Sequence, residues 1–476
     1  MEDFFKTEPR PYQLEDYQKT KRMAYAAYLL DPGLGKTKLT IDVCSYLATK
    51  KVIQAVFICS HGEVARNWPL QEIDKHAWEC LEHDRFIYDK KNKHRLRLYN
   101  EALKSRPADG RVWWFSFNKE ALQSDTFKTQ FRQFMQRVPS AFIIDESTII
   151  KNANAKVTKA AIAMGRYAKV RRILTGSATP NSEIDLYSQY KFLGQTDLPF
   201  HNKEDFMNKY CRTSTNFWGG MRLEGFAKEQ WNADVGLFTC ARNKEDVLPD
   251  LPPKQHVKQV VELPPDERKT YNLLRDQLIT ELTGIGEEGY VEAVNAVSSL
   301  VRMQQLLSGI AVSDQGLKLF ESSKFKAVCN FLEFFPRQLI LWYRFNHTKD
   351  ALIKFLKQNK LSYGTLCGNM KSEEKEIHAQ EFRAGKRQFL IAHPQTAGWG
   401  LTFTNCSDAL FVENSFNWEH RIQAEDRIHR IGQTANKCTY YDIVVEDSID
   451  IKIRRNLLDK SNLNGKLTRQ ELEQWL

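Results

Sequence analysis

Apolar and polar positions along this chain form two alternating patterns. Short apolar runs predict buried strands, and the segments after them repeat apolar residues at helical spacing, as in residues 39–47. Strands that alternate with helices in this way are typical of parallel α/β sheets. The runs of the first half lie at residues 24–30, 52–59, 112–115 and 141–144.

A second α/β series occupies the last third of the chain, and a helical stretch lies between the two series. Residues 266–281 and 291–310 have helical period and are interrupted by a glycine-containing break at 284–286. Because 476 residues exceed one ordinary core, we predict two α/β domains in tandem with a helical insertion in the second half. The second series comprises residues 338–343, 349–358, 363–368, 388–393 and 408–413.

Charge and cysteine content narrow the classes of partner and compartment. The net charge of +10 and the pI near 9.0 favour a polyanionic partner, although a basic surface also serves solubility. Nine cysteines without a Cys-x-x-Cys pair indicate reduced thiols in a cytoplasm-like compartment and argue against a zinc site. No run of about 18 apolar residues predicts a membrane span, and the acidic start does not resemble a signal peptide.

Residues 31–37 (DPGLGKT) join the first predicted strand to the first predicted helix, the setting of a phosphate-binding loop. Glycines permit positive φ, so backbone N–H groups can surround phosphate oxygens at the positive end of the helix dipole. Lys36 would reach the β- and γ-phosphates, and the Thr37 hydroxyl would bind Mg²⁺. The strict motif has a glycine where this chain has Leu30, so an ordinary turn is the alternative. The residues assigned to ATP here are Gly33, Leu34, Gly35, Lys36 and Thr37.

Two acids end the predicted strand at residues 141–144. Adjacent carboxylates at a strand end require compensation, such as a cation. We expect Asp145 to hold Mg²⁺ through water and Glu146 to accept a proton from the attacking water. The next strand ends in residues 174–181 (LTGSATPN), whose hydroxyls can relay the state of the acid pair; a plain loop is the alternative. The residues assigned to coupling here are Ser177 and Thr179.

Other polar groups lie upstream of the phosphate loop or just after predicted strands. The Gln13 amide, next to Arg10, matches the N6 and N7 edge of adenine, although the segment also reads as an ordinary turn. Polar groups after strands lie at the ligand edge of a parallel sheet and are candidates for nucleic-acid backbone contacts. For the tryptophan among them, a place in the core is the alternative. These candidates are Arg66, Asn67, Trp68, Ser116 and Lys119.

Residues 423–433 (QAEDRIHRIGQ) carry the last strong pattern. On a helix, Gln423, Arg427 and Arg430 would fall on one face. Two arginines on one face can clamp a γ-phosphate as its charge spreads, and such an arginine contributes on the order of 10³-fold or more in rate. The alternative is an exposed basic helix whose arginines pair with Glu425 and Asp426.

The order and spacing of these motifs resemble superfamily two helicases of the Swi/Snf-like translocase branch. Residues 251–254 and 260–271 also resemble that branch. This chain departs from the family at Thr148, where the motif usually ends in His, and at Trp399, where the family has glycine. The matching stretches are 31–37 for motif I, 145–148 for motif II, 174–180 for motif III, 397–402 for motif V and 423–433 for motif VI.

The resemblance implies two RecA-like domains facing each other across a cleft, with ATP on the first domain and arginines from the second. It adds Gly400 to the ATP-binding residues, Thr402 to the nucleic-acid contacts, and Thr148 and Trp418 to the coupling residues. The expected domains are an ATP-binding domain at 1–245, a connector and helical protrusion at 246–336, a second RecA-like domain at 337–460 and a helical tail at 461–476.

We therefore predict a nucleic-acid-dependent ATPase that uses ATP and Mg²⁺ to move along duplex DNA, in the cytoplasm of a bacterium or a phage-infected host. Remodelling, annealing or displacement would be its effect on DNA. A strand-separating helicase on DNA or RNA is the first alternative. A non-enzymatic nucleic-acid-binding module and a metabolic kinase are the others, but the kinase leaves the second α/β series unexplained.

Overall fold

The computed structural model describes residues 3–176, 178–179, 182–194, 198–215, 221–285, 290–313, 316–368, 370–394, 401–458 and 466–468. The chain divides into two compact units, Met1–Pro249 and Asp250–Leu476. Each unit contains its own parallel sheet with helices packed on it. The predicted fold class, two RecA-like α/β domains in tandem, is therefore confirmed.

Seven strands of the first unit form its main sheet. Every pair in this sheet is parallel. The strands of the unit are β1 (Tyr25–Leu30), β2 (Ala55–Ser60), β3 (Glu82–Ile87), β4 (Arg111–Asn118), β5 (Ser140–Asp145), β6 (Val170–Thr175), β7 (Cys211–Thr215), β8 (Met221–Phe226) and β9 (Thr239–Arg242). The order across the main sheet is β3-β4-β2-β5-β6-β1-β9, and β7 and β8 form a separate antiparallel pair.

Helices cover both faces of this sheet because its inner strands are apolar on both sides. In β2, Phe57 contributes to one core and its neighbours Val56 and Ile58 to the other. The helices are α1 (Pro11–Thr20), α2 (Lys36–Thr49), α3 (Gly62–Asn67), α4 (Ile73–His76), α5 (Lys93–Ala102), α6 (Asp125–Arg137), α7 (Lys156–Gly165), α8 (Asp185–Leu193), α9 (Lys203–Tyr210), α10 (Lys228–Val235) and α11 (Lys244–Val247). A π-helix spans Trp68–Glu72, and 3₁₀ turns span Lys119–Gln123, Ser147–Ile150 and Gly236–Phe238.

The second unit is built on a six-stranded sheet, whose pairs are also all parallel. The strands of this unit are β10 (Lys254–Val261), β11 (Tyr290–Glu292), β12 (Ile310–Ser313), β13 (Gly316–Leu319), β14 (Leu339–Trp342), β15 (Tyr363–Leu366), β16 (Phe389–Ala392), β17 (Asp408–Phe411), β18 (Cys438–Val445) and β19 (Lys466–Thr468). The order across the main sheet is β10-β18-β17-β14-β16-β15, while β11 with β19 and β12 with β13 form small antiparallel pairs.

The predicted helical insertion consists of two long helices that precede β14. Their apolar residues, such as Tyr271 and Leu300, share a core with Ile449 and Ile453 from the last described helix. The insertion is therefore anchored to the end of the second unit. The helices of this unit are α12 (Pro265–Ile285), α13 (Ala293–Leu307), α14 (Ser323–Glu333), α15 (Asn346–Gln358), α16 (Ser372–Arg383), α17 (Trp418–Glu425) and α18 (Ile449–Leu458).

Four strands of the two main sheets lie outside the predicted apolar runs, namely the edge strands β3, β9 and β10 and the strand β18 beside β10. β3 is an edge strand with the sequence EHDRFI, and half of its six residues are charged because only part of its surface is covered. β10 lies in the stretch predicted as connector, yet it forms the edge of the second sheet beside β18. Edge strands need only one apolar face, so a search for continuous apolar runs misses them.

Candidate ATP site and nucleic-acid interface

The glycine loop lies between β1 and α2, as the sequence predicts. Gly33 and Gly35 have φ of 92° and 81°, values that side chains rarely adopt. A Cβ on Gly35 would also lie 2.2 Å from Nε2 of Gln13, so Gly35 allows the loop to approach α1. Thr37 is half-buried and is the second residue of α2, directly after the loop.

Side-chain hydrogen bonds hold the loop at Lys36 and Leu34, and the Tyr12 hydroxyl contributes one of them by donating to the Leu34 carbonyl at 3.1 Å. The buried Lys36 ammonium donates to the carbonyl of Leu30 at 2.7 Å. Gln13 Nε2 donates to the carbonyl of Leu34 at 2.9 Å, while its Oε1 accepts from the backbone N–H of Arg10. The structure thus brings Gln13 against the loop and leaves the Arg10 side chain exposed beside it.

Asp145 ends β5 and is only 6% exposed. Its Oδ1 accepts the backbone N–H of Glu146 at 3.0 Å, and its Oδ2 accepts the indole N–H of Trp68 at 2.7 Å. Burial raises the pKa of Asp145, while the Trp68 hydrogen bond and the Lys36 charge oppose that rise. Glu146 follows with φ of 51° and is half-buried. Because β1 and β5 both pair in parallel with β6, the phosphate loop and the acid pair lie at the same edge of the sheet.

Trp68 is a correction to the predicted nucleic-acid contacts. Its side chain is 1% exposed, and its N–H points to Asp145 within the first unit. Trp68 opens the π-helix that follows α3, and this wider turn directs the indole inward. The prediction that Trp68 contacts nucleic acid is therefore wrong, and nothing in the local sequence indicated the partner, which lies 77 positions later.

A second feature that the sequence did not reveal is Gln189 in α8. The hydroxyl of Ser147 donates to Gln189 Oε1 at 2.6 Å, and Gln189 Nε2 donates to the carbonyl of Ala178 at 2.7 Å. This buried amide therefore joins the chain after the acid pair to the loop after β6. Thr148 is half-buried and Thr179 exposed, whereas Ser177 lies outside the described residues.

The remaining nucleic-acid candidates of the first unit differ in accessibility. Because Ser60 pairs with Asn118, α3 and Lys119 follow neighbouring strand ends at one edge of the sheet. Arg66 pairs with Asp89 at 2.9 Å and keeps 34% of its side chain exposed. Asn67 and Lys119 are half-buried.

Ser116 is a second correction, because its side chain is 1% exposed inside β4 and cannot reach a nucleic acid. At the same sheet edge, burial and the Lys119 charge lower the pKa of His61 to about 4, so this imidazole is neutral near pH 7. The basic surface there comes from Arg66 and Lys119 rather than from histidine.

The predicted single helix for residues 423–433 is also wrong. α17 ends at Glu425, and Arg427 and Arg430 lie in the turns that follow. The carbonyl of Arg427 accepts the N–H of Phe403, and that of Ile428 accepts the Gln433 amide, so neither is available to extend the helix.

Both arginines nevertheless reach the same short segment of the second unit. Arg427 donates to the carbonyls of Gln423 and Leu401, each at 2.9 Å. Arg430 donates to the hydroxyl of Thr402 at 2.9 Å. The structure therefore groups Gln423, Arg427 and Arg430 with motif V, although Trp399 and Gly400 lie outside the described residues. Trp418 begins α17 and packs against the core that anchors the helical insertion.

A buried network of ion pairs surrounds the two acids of motif VI, Glu425 and Asp426. Glu425 accepts from Arg421 at 2.7 Å, from His256 at 2.9 Å and from Lys254 at 3.1 Å. Burial alone would raise the pKa of Glu425, but these three donors lower it well below its usual range. Lys254 also pairs with Asp426. β10 thus supplies cations for both acids of motif VI.

Family comparisons agree with this arrangement. The SNF2-related domain matches residues 27–308, which is more than half of the chain, and the helicase conserved C-terminal domain matches residues 323–432. The chain belongs to the SNF2-related family. The two matches cover the glycine loop and acid pair in the first unit, and motif V with much of motif VI in the second.

Three SNF2-related relatives illustrate the range of similarity. An uncharacterized ATP-dependent helicase of Mycoplasma genitalium is 26% identical over 92% of this chain and 41% of its own length. The human DNA annealing helicase and endonuclease ZRANB3 is 25% identical over 70% of this chain and 30% of its length. A Drosophila melanogaster SWI/SNF-related regulator of chromatin, subfamily A-like protein 1, is 23% identical over 91% and 52%. The chain thus spans about half or less of each.

Use of ATP follows from membership of the SNF2-related family. The described donor set also fits Mg²⁺, because Asp145 and Thr37 offer hard oxygen ligands near the Lys36 ammonium. Among the described residues, no three His, Cys, Asp or Glu side chains cluster as a metal site. Mg²⁺ here would therefore rely on nucleotide phosphates and water for its remaining ligands. In the same part of the chain, no helix is long and apolar enough to cross a membrane.

Proposed function

We propose that this chain is a DNA-stimulated ATPase that couples ATP hydrolysis to movement along duplex DNA. The observation that carries the proposal is the placement of the glycine loop after β1 and of the Asp145–Glu146 pair at the end of β5, since both strands pair in parallel with β6 and end at one edge of the sheet. Membership of the SNF2-related family supports it, as does a relative named as a DNA annealing helicase. Nine cysteines, all free thiols, support a cytoplasmic setting.

In the proposed mechanism, the backbone N–H groups of residues 33–37 bind the phosphates and Lys36 exchanges the Leu30 carbonyl for a phosphate oxygen. Gln13 and Arg10 border the loop on the side where adenine would lie. Asp145 and Thr37 would hold Mg²⁺, which supplies charge neutralisation at the phosphates when bound. Glu146 accepts the proton of the attacking water, and its half-buried position keeps it within reach of solvent.

The second unit is proposed to complete the reaction. Arg427 and Arg430 would stabilise the charge that develops on the γ-phosphate, with Gln423 beside them. Gly400 is proposed as an ATP-binding residue from the resemblance alone. Because hydrolysis then needs residues of both domains, at 1–245 and 337–460, domain closure and hydrolysis become one event. Ser177 and Thr179 of motif III, with Thr148 and Trp418, would transmit that closure to the nucleic acid.

We propose that nucleic acid binds along the strand ends that precede α3 and Lys119. Arg66, Asn67 and Lys119 would contact the phosphate backbone, with Thr402 as the contact from the second unit. The helical protrusion within residues 246–336 would grip the duplex. Residues 466–468 of the expected helical tail correct that prediction, because they form the strand β19, which pairs with β11 of this protrusion. Backbone contacts of this kind carry no sequence preference and weaken as salt rises.

An ATPase assay tests the chemistry. With saturating circular duplex DNA, Lys36→Ala and Glu146→Gln should each reduce turnover by at least about 100-fold, because each removes a group that acts on the transferred phosphate or its attacking water. Lys50→Ala, an exposed lysine at the end of the same helix, is the matched control and should retain full activity. Near-normal turnover in both site variants would refute the assignment.

A second assay separates movement from unwinding. The wild type should displace a third strand from a triplex and leave a forked duplex intact. Displacement of the forked strand instead, or stimulation by RNA alone, would favour the strand-separating helicase. Turnover indifferent to every nucleic acid would contradict the whole proposal.

A further inference from the structure

The indole of Trp68 forms a direct link between the candidate nucleic-acid surface and the ATP site. Its N–H donates to Asp145 Oδ2 at 2.7 Å, and both side chains are buried. In the part of the chain that the structure describes, the other hydrogen bond to this carboxylate comes from the backbone N–H of Glu146. Trp68 is therefore the side chain that sets the orientation of Asp145.

Trp68 belongs to a continuous helical segment that reaches the sheet edge. α3 carries Arg66 and Asn67, the π-helix Trp68–Glu72 follows without a break, and α4 continues it to His76. Trp68 is the residue that directly follows Asn67. A backbone phosphate that binds α3 and displaces it would therefore also move the indole of Trp68. π-turns inside helices are frequent at functional sites.

We propose that Trp68 is a positioning residue that orients Asp145 for the nucleotide and its divalent cation, and that nucleic-acid contact at Arg66 and Asn67 reaches the ATP site through it. This inference rests on the proposed function, because it needs ATP at the glycine loop and a polyanion at α3. It assigns to the stretch after β2 a role in the hydrolysis cycle, in addition to binding.

The first unit offers a matched control for the indole hydrogen bond. Trp78 is also 1% exposed, and its N–H donates to the buried carboxylate of Asp42 at 3.2 Å. Both tryptophans pack in the same core. Asp42 lies in the interior of α2 and pairs with Lys38, away from the acid pair. Trp→Phe at either position removes one N–H and keeps an aromatic ring, so the difference between the two variants reports the role of Asp145.

The first experiment measures binding rather than turnover. A fluorescent, non-hydrolysable ATP analogue is titrated with Mg²⁺ against wild type, Trp68→Phe and Trp78→Phe. Trp68→Phe should need about tenfold more Mg²⁺ for half-maximal binding, since residues that orient a metal ligand typically change metal affinity by 10- to 100-fold. Trp78→Phe should match the wild type. In ATPase assays, the ratio of DNA-stimulated to basal turnover should fall by about fivefold or more in Trp68→Phe alone.

If Trp68→Phe does not fold, a measurement on the wild type tests the proposed role of Trp68 instead. Hydrogen exchange of peptides within residues 62–76 should change when the Mg²⁺–analogue complex binds, and change again on adding duplex DNA. Peptides from α6, residues 125–137, serve as the internal reference. Equal Mg²⁺ dependence of the two tryptophan variants, or exchange in residues 62–76 that ignores both ligands, overturns the inference. A wild type that binds no nucleotide at all would instead contradict the proposed function.

Discussion

Asp145 and Glu425, one buried carboxylate from each unit, are held in opposite ways. Asp145 of the first unit accepts hydrogen bonds from neutral donors, an indole and a backbone N–H, and burial raises its pKa. Glu425 of the second unit accepts from Arg421, Lys254 and His256, which together lower its pKa despite burial. A carboxylate surrounded by cations is already neutralised and serves the fold. A carboxylate whose hydrogen-bond donors are neutral can instead be neutralised by an incoming cation.

The arginines of the second unit repeat this contrast. Arg421 is buried and donates to the carboxylates of Glu425 and Asp442, so its charge is neutralised within the protein. Arg430 is half-buried and donates to the hydroxyl of Thr402. Arg421 thus stabilises the fold, whereas Arg430 is an arginine that we propose for the γ-phosphate, and both belong to the same basic stretch of sequence.

The largest effect should come from Arg430. Arg430→Ala should lower DNA-stimulated kcat by about 10³-fold, the contribution of an arginine that stabilises phosphoryl-transfer charge. The control is Arg383→Ala, because Arg383 donates to the carbonyl of the same residue, Thr402, at 3.0 Å from α16. If Arg383→Ala lost as much activity as Arg430→Ala, both arginines would merely support residue 402, and the contrast with Arg421 would disappear.

Glu425→Gln tests whether the network serves the fold. Removing one charge from a buried ionic cluster should cost about 3 kcal/mol, because the remaining cations lose their partner. Hydrogen exchange of β18 in the full chain measures this loss in the second unit.

The pH dependence of the same variant follows from the lowered pKa. A carboxylate with a depressed folded pKa adds stability above its unfolded pKa of about 4.3 and loses it as pH falls further. The difference in folding stability between the wild type and Glu425→Gln should therefore become smaller below about pH 4. A constant difference between the two proteins from pH 7 to pH 3 would contradict the ionic role.

The smallest effect is expected at Gln189. Gln189→Leu should destabilise the first unit by about 2 kcal/mol, because the hydroxyl of Ser147 and the carbonyl of Ala178 lose a buried partner. Urea unfolding followed by tryptophan fluorescence measures the change. Ser188→Ala, which removes a bond from the same helix to the carbonyl of Lys151, is the control. Only Gln189→Leu should also reduce the stimulation of ATPase turnover by DNA. Equal stimulation of turnover in both variants would indicate that Gln189 has only a structural role.

Features that arise locally could be predicted from the sequence. The glycine loop requires positive φ at Gly33 and Gly35, and the run before Asp145 is apolar because β5 is buried on both faces. Both follow from neighbouring residues. Alternating apolar runs likewise predicted the two parallel sheets.

Features that depend on distant partners could not be predicted in this way. Trp68 meets Asp145 across 77 positions, and His256 meets Glu425 across 169. The end of α17 also depends on a distant residue. The N–H of Phe403 donates to the carbonyl of Arg427, which a longer helix would use for its own hydrogen bonds. Helical period in residues 423–433 was a real pattern, but tertiary hydrogen bonds overrode it.

The place of β10 bears on how the protein is made. This edge strand follows the first unit directly, yet its sole neighbour in the described sheet, β18, begins at Cys438. At ordinary ribosomal speeds the nascent segment waits on the order of ten seconds for that neighbour. The first unit can meanwhile finish folding on its own contiguous stretch. The newborn chain therefore presents an open hydrogen-bonding edge beside a completed domain, a natural point for a chaperone to bind.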